Sequence, residues 1–497
     1  MALGKKIFKH SAVYTVGSFL DQSIGLILLP IYTRVLTKAE VGIIAVSHSI
    51  GMVMTLLLAM GMHGAASRLY FDYRGKPKEL KEFWGTVFVF LTFFSGGAGL
   101  TLAIFGEPLF RLITAGVAFR PFIVLALITA TLTPFINTYL RTLQARQQPV
   151  KFVILNSSRF LFTMMLVIFL VVGLKMGAKG PLLGFAVVSG IYWIVVAFML
   201  SKDVTYCFKW RYLRHALGYS LPIVPASVSS KVGTMADRLI LNGLFGSGSA
   251  GLYHIGYAFG NVIQVIALAV NNAFSPVFRD AMQTHDKDKL VNLRNFSLFI
   301  VYGYCVIGMG LSLFAREIVA IVTGREFHSA YVVVPFIGLA FVCRGVYFVF
   351  SSVLQYFRIT LWYGFLISIF GMVVSISLNL RWIPVWGMTG AGMAAMSTQI
   401  VVAILAAVLT YRYARVHWPY VRFTAMVICT MVVSLPVSLF AWKLWWFALM
   451  VKLLVFPAMT LVLSAVAWGD FFHIFKVGKK EAARLFCGWG AELRKKR

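Results

Sequence analysis

Six charged side chains fall within or beside long apolar runs: Asp21, Arg159, Lys231, Asp237, Arg238 and Arg344. On insertion scales a charge at the centre of a membrane helix costs about 2.5–3.5 kcal/mol, so each such residue needs a partner, a wet cavity or a task. Four cations against two carboxylates make an electropositive interior, and the task that suits it is recognition of an anion such as phosphate. Arg344 offers a planar fork that matches phosphate oxygens, and the neighbouring Gly338, Cys343 and Gly345 leave a ligand room to approach. Lys231 is mid-span in the seventh run, where its stem cannot carry the ammonium to either surface. Arg159 lies about two turns into the fifth run, and there snorkelling competes with binding. Asp237 and Arg238 lie nearer the outer end of the seventh run, where a local ion pair or interfacial anchor is the competing reading.

The elements that must carry these charges are membrane helices. Of 497 residues 60% are hydrophobic and 12% charged, with a mean hydropathy of +0.84, which excludes a water-soluble domain of this size. The runs reach roughly 20 residues or more without period-2 alternation, so helices are favoured over a barrel. Fourteen spans are expected: 11–32, 41–66, 83–106, 120–140, 152–173 and 180–201, then 217–244, 249–277, 296–315, 331–357, 359–380 and 387–411, with 421–441 and 446–468 at the end. The run from Ser11 to Tyr32 is too long for a signal peptide and carries Asp21, so it reads as a retained first helix.

Basic residues sort by side. The amino terminus, the even-numbered loops and the tail hold 31 of the 46, the odd-numbered loops hold 11, and four remain in or near spans. The positive-inside rule then places both termini in the cytoplasm. The net charge of +30 is mostly topological, with some attraction to anionic membrane lipid through the tail, so no nucleic-acid partner is expected. Cys207, Cys305, Cys343, Cys429 and Cys487 lack metal or disulfide spacing, so no metal or cofactor site is expected. There is no phosphate-cradling glycine loop and no nucleophile elbow, so an enzyme is not expected.

The second half replays the first. Val41-Gly42 through Gly51 lies over Ala250-Gly251 through Gly260, and Leu112-Ile113-Thr114 over Ile321-Val322-Thr323, all at an offset of 209; Gly177 and Gly180 lie over Gly387 and Gly390 at 210. The domain plan is therefore an amino-terminal lobe over 1–201, a cytoplasmic linker over 202–216, a second lobe over 217–411, two added helices over 412–475 and a basic tail over 476–497. At 210 residues' distance Lys231 corresponds to Asp21, so the lobes place opposite charges at equivalent depth. These either pair in one state and separate in another, or form a static buried pair. His48, His63 and His254 read as packing residues, the glycines at 256 and 260 as a site of close helix packing, and Tyr70, Tyr139, Tyr253, Tyr257, Tyr347 and Tyr356 as a weak signal for a sugar-binding surface.

Leu29-Pro30-Ile31-Tyr32-Thr33-Arg34 followed by Glu40-Val41-Gly42 resembles the opening of the polysaccharide-transporter branch of the multidrug, oligosaccharidyl-lipid and polysaccharide (MOP) exporter superfamily. Ser220-Leu221-Pro222 leading to Asp237-Arg238, then Ala250-Gly251-Leu252-Tyr253, then Asn379 through Pro384 running into Gly387–Gly392, agree with it in order and spacing. Ile43-Ile44 departs from the Leu-Tyr frequent there. The resemblance, over about residues 10–411, implies an all-α membrane protein with two six-helix lobes around a cavity that opens alternately to each side. It implies as substrate an undecaprenyl-diphosphate-linked oligosaccharide flipped to the outer leaflet of a bacterial inner membrane, with a polysaccharide polymerase and glycosyltransferases as partners. On this reading Lys231, Arg344, Arg159 and Arg238 form the substrate site, and Asp21 and Asp237 are candidates for coupling to a proton or sodium ion. A flippase for lipid-linked peptidoglycan precursor, a cation-coupled drug or metabolite exporter, and a scaffold in a synthase complex stay open.

Overall fold

The computed structural model describes residues 24–284, 287–356, 361–413, 418–440 and 445–468. The elements are α1 (Ile24–Val35), α2 (Lys38–Ala59), α3 (Met62–Arg68), α4 (Pro77–Phe105), α5 (Glu107–Thr114), α6 (Phe119–Ala145), α7 (Pro149–Gly173) and α8 (Lys179–Ser201). After them come α9 (Trp210–Ser220), α10 (Val224–Thr284), α11 (Lys287–Leu313), α12 (Ala315–Val322), α13 (Val334–Tyr356), α14 (Leu361–Tyr413), α15 (Tyr420–Leu439) and α16 (Trp445–Trp468). No strand occurs among the described residues. Among the described residues eleven continuous helices are long and apolar enough to cross a membrane, counting α9 and α10 as one. Two of them, the α9–α10 run and α14, contain two spans each, because the chain turns at Gly246 (φ 78°) and Gly387 (φ 56°). With α1, whose described part is apolar, this matches the fourteen-span plan. Asp21 and the basic tail lie outside the described residues, as does the pairing of Asp21 with Lys231.

The repeat is written in the backbone. Gly177 and Gly387, equivalent in sequence, have φ of 57° and 56°, a left-handed turn that favours glycine and reverses the chain ahead of the last span of each lobe. Each lobe has its own core. One gathers Phe83, Trp84, Phe135, Tyr139 and Tyr192; the other gathers Tyr253, Phe274, Tyr304, Phe341 and Phe350, together with the two added helices through Phe423 and Leu463. Phe93, Phe105, Leu112, Val421 and Leu454 are exposed on the periphery, as lipid-facing side chains must be.

Three local expectations change. The second span does not run to 66: α2 ends at Met60 and Gly61, both left-handed, and α3 starts afresh. The linker over 202–216 is non-helical only to Lys209, because α9 begins at Trp210 and buries Tyr212, Leu213 and Ala216 in the amino-terminal core. Lys452, not among the six in-span charges named from the sequence although it falls in the 446–468 run, lies inside α16 with its side chain 4% exposed, and donates to Glu317 Oε1 at 2.7 Å and Oε2 at 3.0 Å on α12. Spatial pairing supplies what the apolar run concealed.

Candidate functional site

The lobes meet where α2 crosses α10, and the contact is reciprocal. A Cβ on Gly42 would fall on the Ser247 carbonyl, and one on Gly251 would fall on the Lys38 carbonyl, 2.9 Å from the Gly42 nitrogen. At the repeat offset Gly42 corresponds to Gly251 and Lys38 to Ser247, so this is a pseudo-twofold contact. It is extended on both sides. Asn242 Nδ2 donates to the carbonyls of Thr114 (2.7 Å) and Ala115 (2.6 Å), while Gly324, the equivalent of Ala115, packs on the carbonyl of Thr33, the equivalent of Asn242. Thr37 and Glu40 cap α2 with a reciprocal box, the Thr37 backbone donating to Glu40 Oε2 at 2.8 Å. Apolar clusters of Leu29, Val41, Ile255 and Phe327, and of Val46, Ile50, Phe119 and Ala250, fill the seam. The motifs behind the resemblance thus largely build a seal at one end of the lobe interface, the end that charge sorting assigns to the outside.

Away from that seal, α10 carries three of the sequence-nominated charges. Asp237 and Arg238 are buried, with side chains 4% and 5% exposed. Asp237 Oδ2 accepts from the Tyr253 hydroxyl at 2.5 Å, its Oδ1 accepts from the Arg238 backbone at 2.7 Å, and Arg238 Nη1 stands 3.6 Å from Oδ1. The guanidinium also donates to the Thr234 carbonyl at 3.1 Å and lies 4.1 Å from the centre of the Tyr257 ring. This is a self-neutralising unit that straddles the turn at Gly246 and joins the two spans of α10.

Lys231 and Arg344 differ. Both are half-buried, and among the described residues Lys231 Nζ has no ion pair or hydrogen bond. Arg344, on α13, donates to the Gln399 amide of α14 at a long 3.4 Å and lies 5.2 Å and 5.6 Å from the Tyr347 and Phe348 rings. None of these groups is an anion. The charges of Arg344 and Arg238 both reach Lys231, so the three cations share one neighbourhood with one carboxylate, and Asp237 is already engaged. Arg159 is half-buried on α7, which packs on α6 and α8, and is not among the charges felt at Lys231.

Two histidines that the sequence suggested were packing residues belong to this neighbourhood. His48 of α2 has an exposed side chain, and the charges of Arg238 and Lys231 reach it. His254 feels Arg238 and His48, and its Nδ1 is buried without a described partner, as is Arg238 Nε. The repeat offered a signal for His48: its equivalent is Tyr257, the ring under Arg238. Tyr139 and Tyr253 are 2% and 0% exposed and cannot line a sugar-binding surface. Gly256 and Gly260 let α10 approach Ala330, Val333 and Ile337, the packing role expected of them. Among the described residues no cluster of metal ligands forms.

The sequence profile of the family described as polysaccharide biosynthesis protein matches residues 7–282, more than half of the chain. The chain belongs to this polysaccharide biosynthesis family. It is 22% identical over 333 residues to protein 1 of the Lsg locus of Haemophilus influenzae, covering 65% of this chain and 78% of that one. Its fold is that of the MOP exporters. It is similar to the lipid II flippase MurJ in an inward closed conformation, with a TM-score of 0.72, 14% identity and coverage of 93% of this chain and 99% of that one. An inward-facing multidrug resistance MATE family transporter of the MOP superfamily gives 0.60 at 14% identity, covering 84% and 95%. The Vibrio cholerae MATE transporter VcmN, as a mutant, gives 0.55 at 16% identity, covering 83% and 97%. The polysaccharide family member is thus a multi-pass membrane protein of transporter architecture.

Proposed function

We propose that this protein flips an undecaprenyl-diphosphate-linked oligosaccharide from the inner to the outer leaflet of a bacterial cytoplasmic membrane by alternating access. The observation that carries the reading is the pair Lys231 and Arg344, two neighbouring cations of the second lobe to which no carboxylate is matched among the described residues. A diphosphate diester bears one negative charge on each phosphate, so it would neutralise both. A carrier of cationic drugs gains nothing from such a wall, since like charges in a low-dielectric cavity repel. Lys231, as a point charge, and Arg344, as a fork, hold the diphosphate; the glycan crosses in the hydrated space beside His48 while the polyprenyl tail stays in lipid. Arg238 sets the local field but is occupied by Asp237, and Arg159 stands apart on α7 as a candidate contact for the sugar or a leaflet anchor. Asp21 remains the candidate for proton or sodium coupling. Glycosyltransferases supply such a substrate and a polymerase consumes it. Directionality requires that the two open states differ in affinity for the substrate.

The test is charge-neutral replacement. Lys231→Gln and Arg344→Gln, each verified to remain in the membrane at wild-type abundance, should abolish surface glycan. Wild-type glycan in both variants overturns the reading. Dye efflux lost on replacing Asp21 but not Lys231 would transfer the protein to the cation exporters.

A further inference from the structure

Helix α9 carries a cluster of basic side chains separate from the interior cations. Its inward face, Tyr212, Leu213, Ala216 and Ser220, is buried against the amino-terminal lobe, and its outward face carries Arg211, Arg214, His215 and Tyr219. Every acid nearby is already engaged: Asp72 with Arg68 at 3.3 Å, Glu79 with Lys76 at 3.2 Å, Glu82 with Lys209 at 2.6 Å and Asp203 with Arg146 at 2.6 Å. Arg211 and Arg214 are left, among the described residues, without a carboxylate. His215 Nδ1 is held by the Tyr73 hydroxyl at 2.8 Å, which fixes the ring beside them.

Two hollows adjoin on this face, and Arg214 and Gly218 line both. The polar one is walled by Arg211, His215, Tyr219 and Leu69, the apolar one by Trp210, Leu217, Leu221 and Pro222. Aromatic and aliphatic side chains flank them in the open, Tyr206 54%, Phe208 57%, Trp210 63% and Leu221 48% exposed, the composition of a helix lying at a membrane surface. The charge sorting puts this end of the bundle in the cytoplasm. Lys231 lies ten residues beyond Leu221, roughly 15 Å at 1.5 Å per residue, which is about half of the roughly 30 Å hydrocarbon core.

We infer that the α9 face is the loading site for the lipid substrate: Arg211 and Arg214 hold the diphosphate of a polyisoprenyl diphosphate at the cytoplasmic leaflet, and the apolar hollow beside them takes the first isoprene units. A cationic and an apolar hollow sharing one arginine match an amphiphile whose charge sits directly on its chain. The site rests on the proposed flippase reading and adds a first step to it, capture before entry. Its contacts are made before translocation, so they govern how much substrate is needed more than how fast a captured one crosses.

The test uses the full-length protein in nanodiscs with Leu217→p-benzoylphenylalanine as photo-cross-linker, and undecaprenyl diphosphate as probe. Cross-linking is expected, and is expected to fall at least tenfold in Arg211→Gln/Arg214→Gln. It should fall likewise in Gly218→Trp, where a Cβ meets nothing within 4 Å, so the indole fills the hollow without displacing backbone. Absence of a cross-link, unchanged cross-linking in both variants, or equal labelling by phosphatidylglycerol at the same mole fraction overturns the site; the last result would make α9 a general lipid anchor. Lys231→Gln separates the two readings. It should keep the cross-link and lose export, whereas normal export in both this variant and Arg344→Gln sinks the flippase assignment and leaves the α9 result standing.

Discussion

Adding one methyl group at Gly251 should unseal the end of the lobe interface that the charge sorting places outside. The new Cβ would overlap the Lys38 carbonyl and lie 2.9 Å from the Gly42 nitrogen, against 3.4 Å for the start of ordinary contact, so α2 and α10 must part by more than about 0.5 Å. Both partners are helix backbone, which cannot swing aside as a side chain would. Overpacking of this kind costs about 1–3 kcal/mol. The helix propensity gained by replacing glycine with alanine, about 1 kcal/mol, is common to every state and cancels. A penalty borne only by the sealed state therefore shifts the equilibrium towards outward opening by roughly 5- to 150-fold. In a background with Cys207, Cys305, Cys343, Cys429 and Cys487 replaced by serine, a His48→Cys reporter should react with a membrane-impermeant maleimide from outside at least about fivefold faster in Gly251→Ala, by the low end of that range. Gly42→Ala should behave alike, because the pseudo-twofold exchanges the two positions. Gly96→Ala, with open space around its Cβ, should change nothing. Unaltered labelling in both seam variants, with protein at normal abundance, would refute the idea that this contact is the seal.

Other outcomes follow from the same geometry. Asn242→Ala leaves the Thr114 and Ala115 carbonyls without their donor at a buried seam, so it should weaken the seal by about 1–3 kcal/mol and speed the same labelling. Asp237→Asn leaves the buried Arg238 without its carboxylate, in a neighbourhood that also holds Lys231, and should destabilise the protein by about 3–5 kcal/mol, read as a lower melting temperature in detergent; Tyr253→Phe removes one hydrogen bond and should cost less. Lys452→Met alone should lower the melting temperature, and adding Glu317→Met should restore most of the loss, since the pair removed together leaves no buried charge. For export, Lys231→Arg should retain more surface glycan than Lys231→Gln, because the positive charge persists where the fork geometry does not match.

Much of this architecture could be read from the chain alone, because the signals are local sums. Hydropathy over about 20 residues decides what enters a bilayer, and an offset of 209 that survives in Gly42 and Gly251 announces a duplicated lobe before any coordinate is known. The in-span charges were visible for the same reason, since transfer from water costs energy wherever the partner is. Their fates were not visible. Asp237 is neutralised by Arg238 beside it and hydrogen-bonded by Tyr253 across the turn at Gly246, and Lys452 meets Glu317 from 135 residues away. Lys231 meets no carboxylate among the described residues. Which charges are quenched depends on distances between residues remote in sequence, and these exist only once the helices have packed. The seam is the same lesson in reverse: sequence repeats its glycines, but only tertiary structure brings the two copies into contact and turns a repeated motif into a closure.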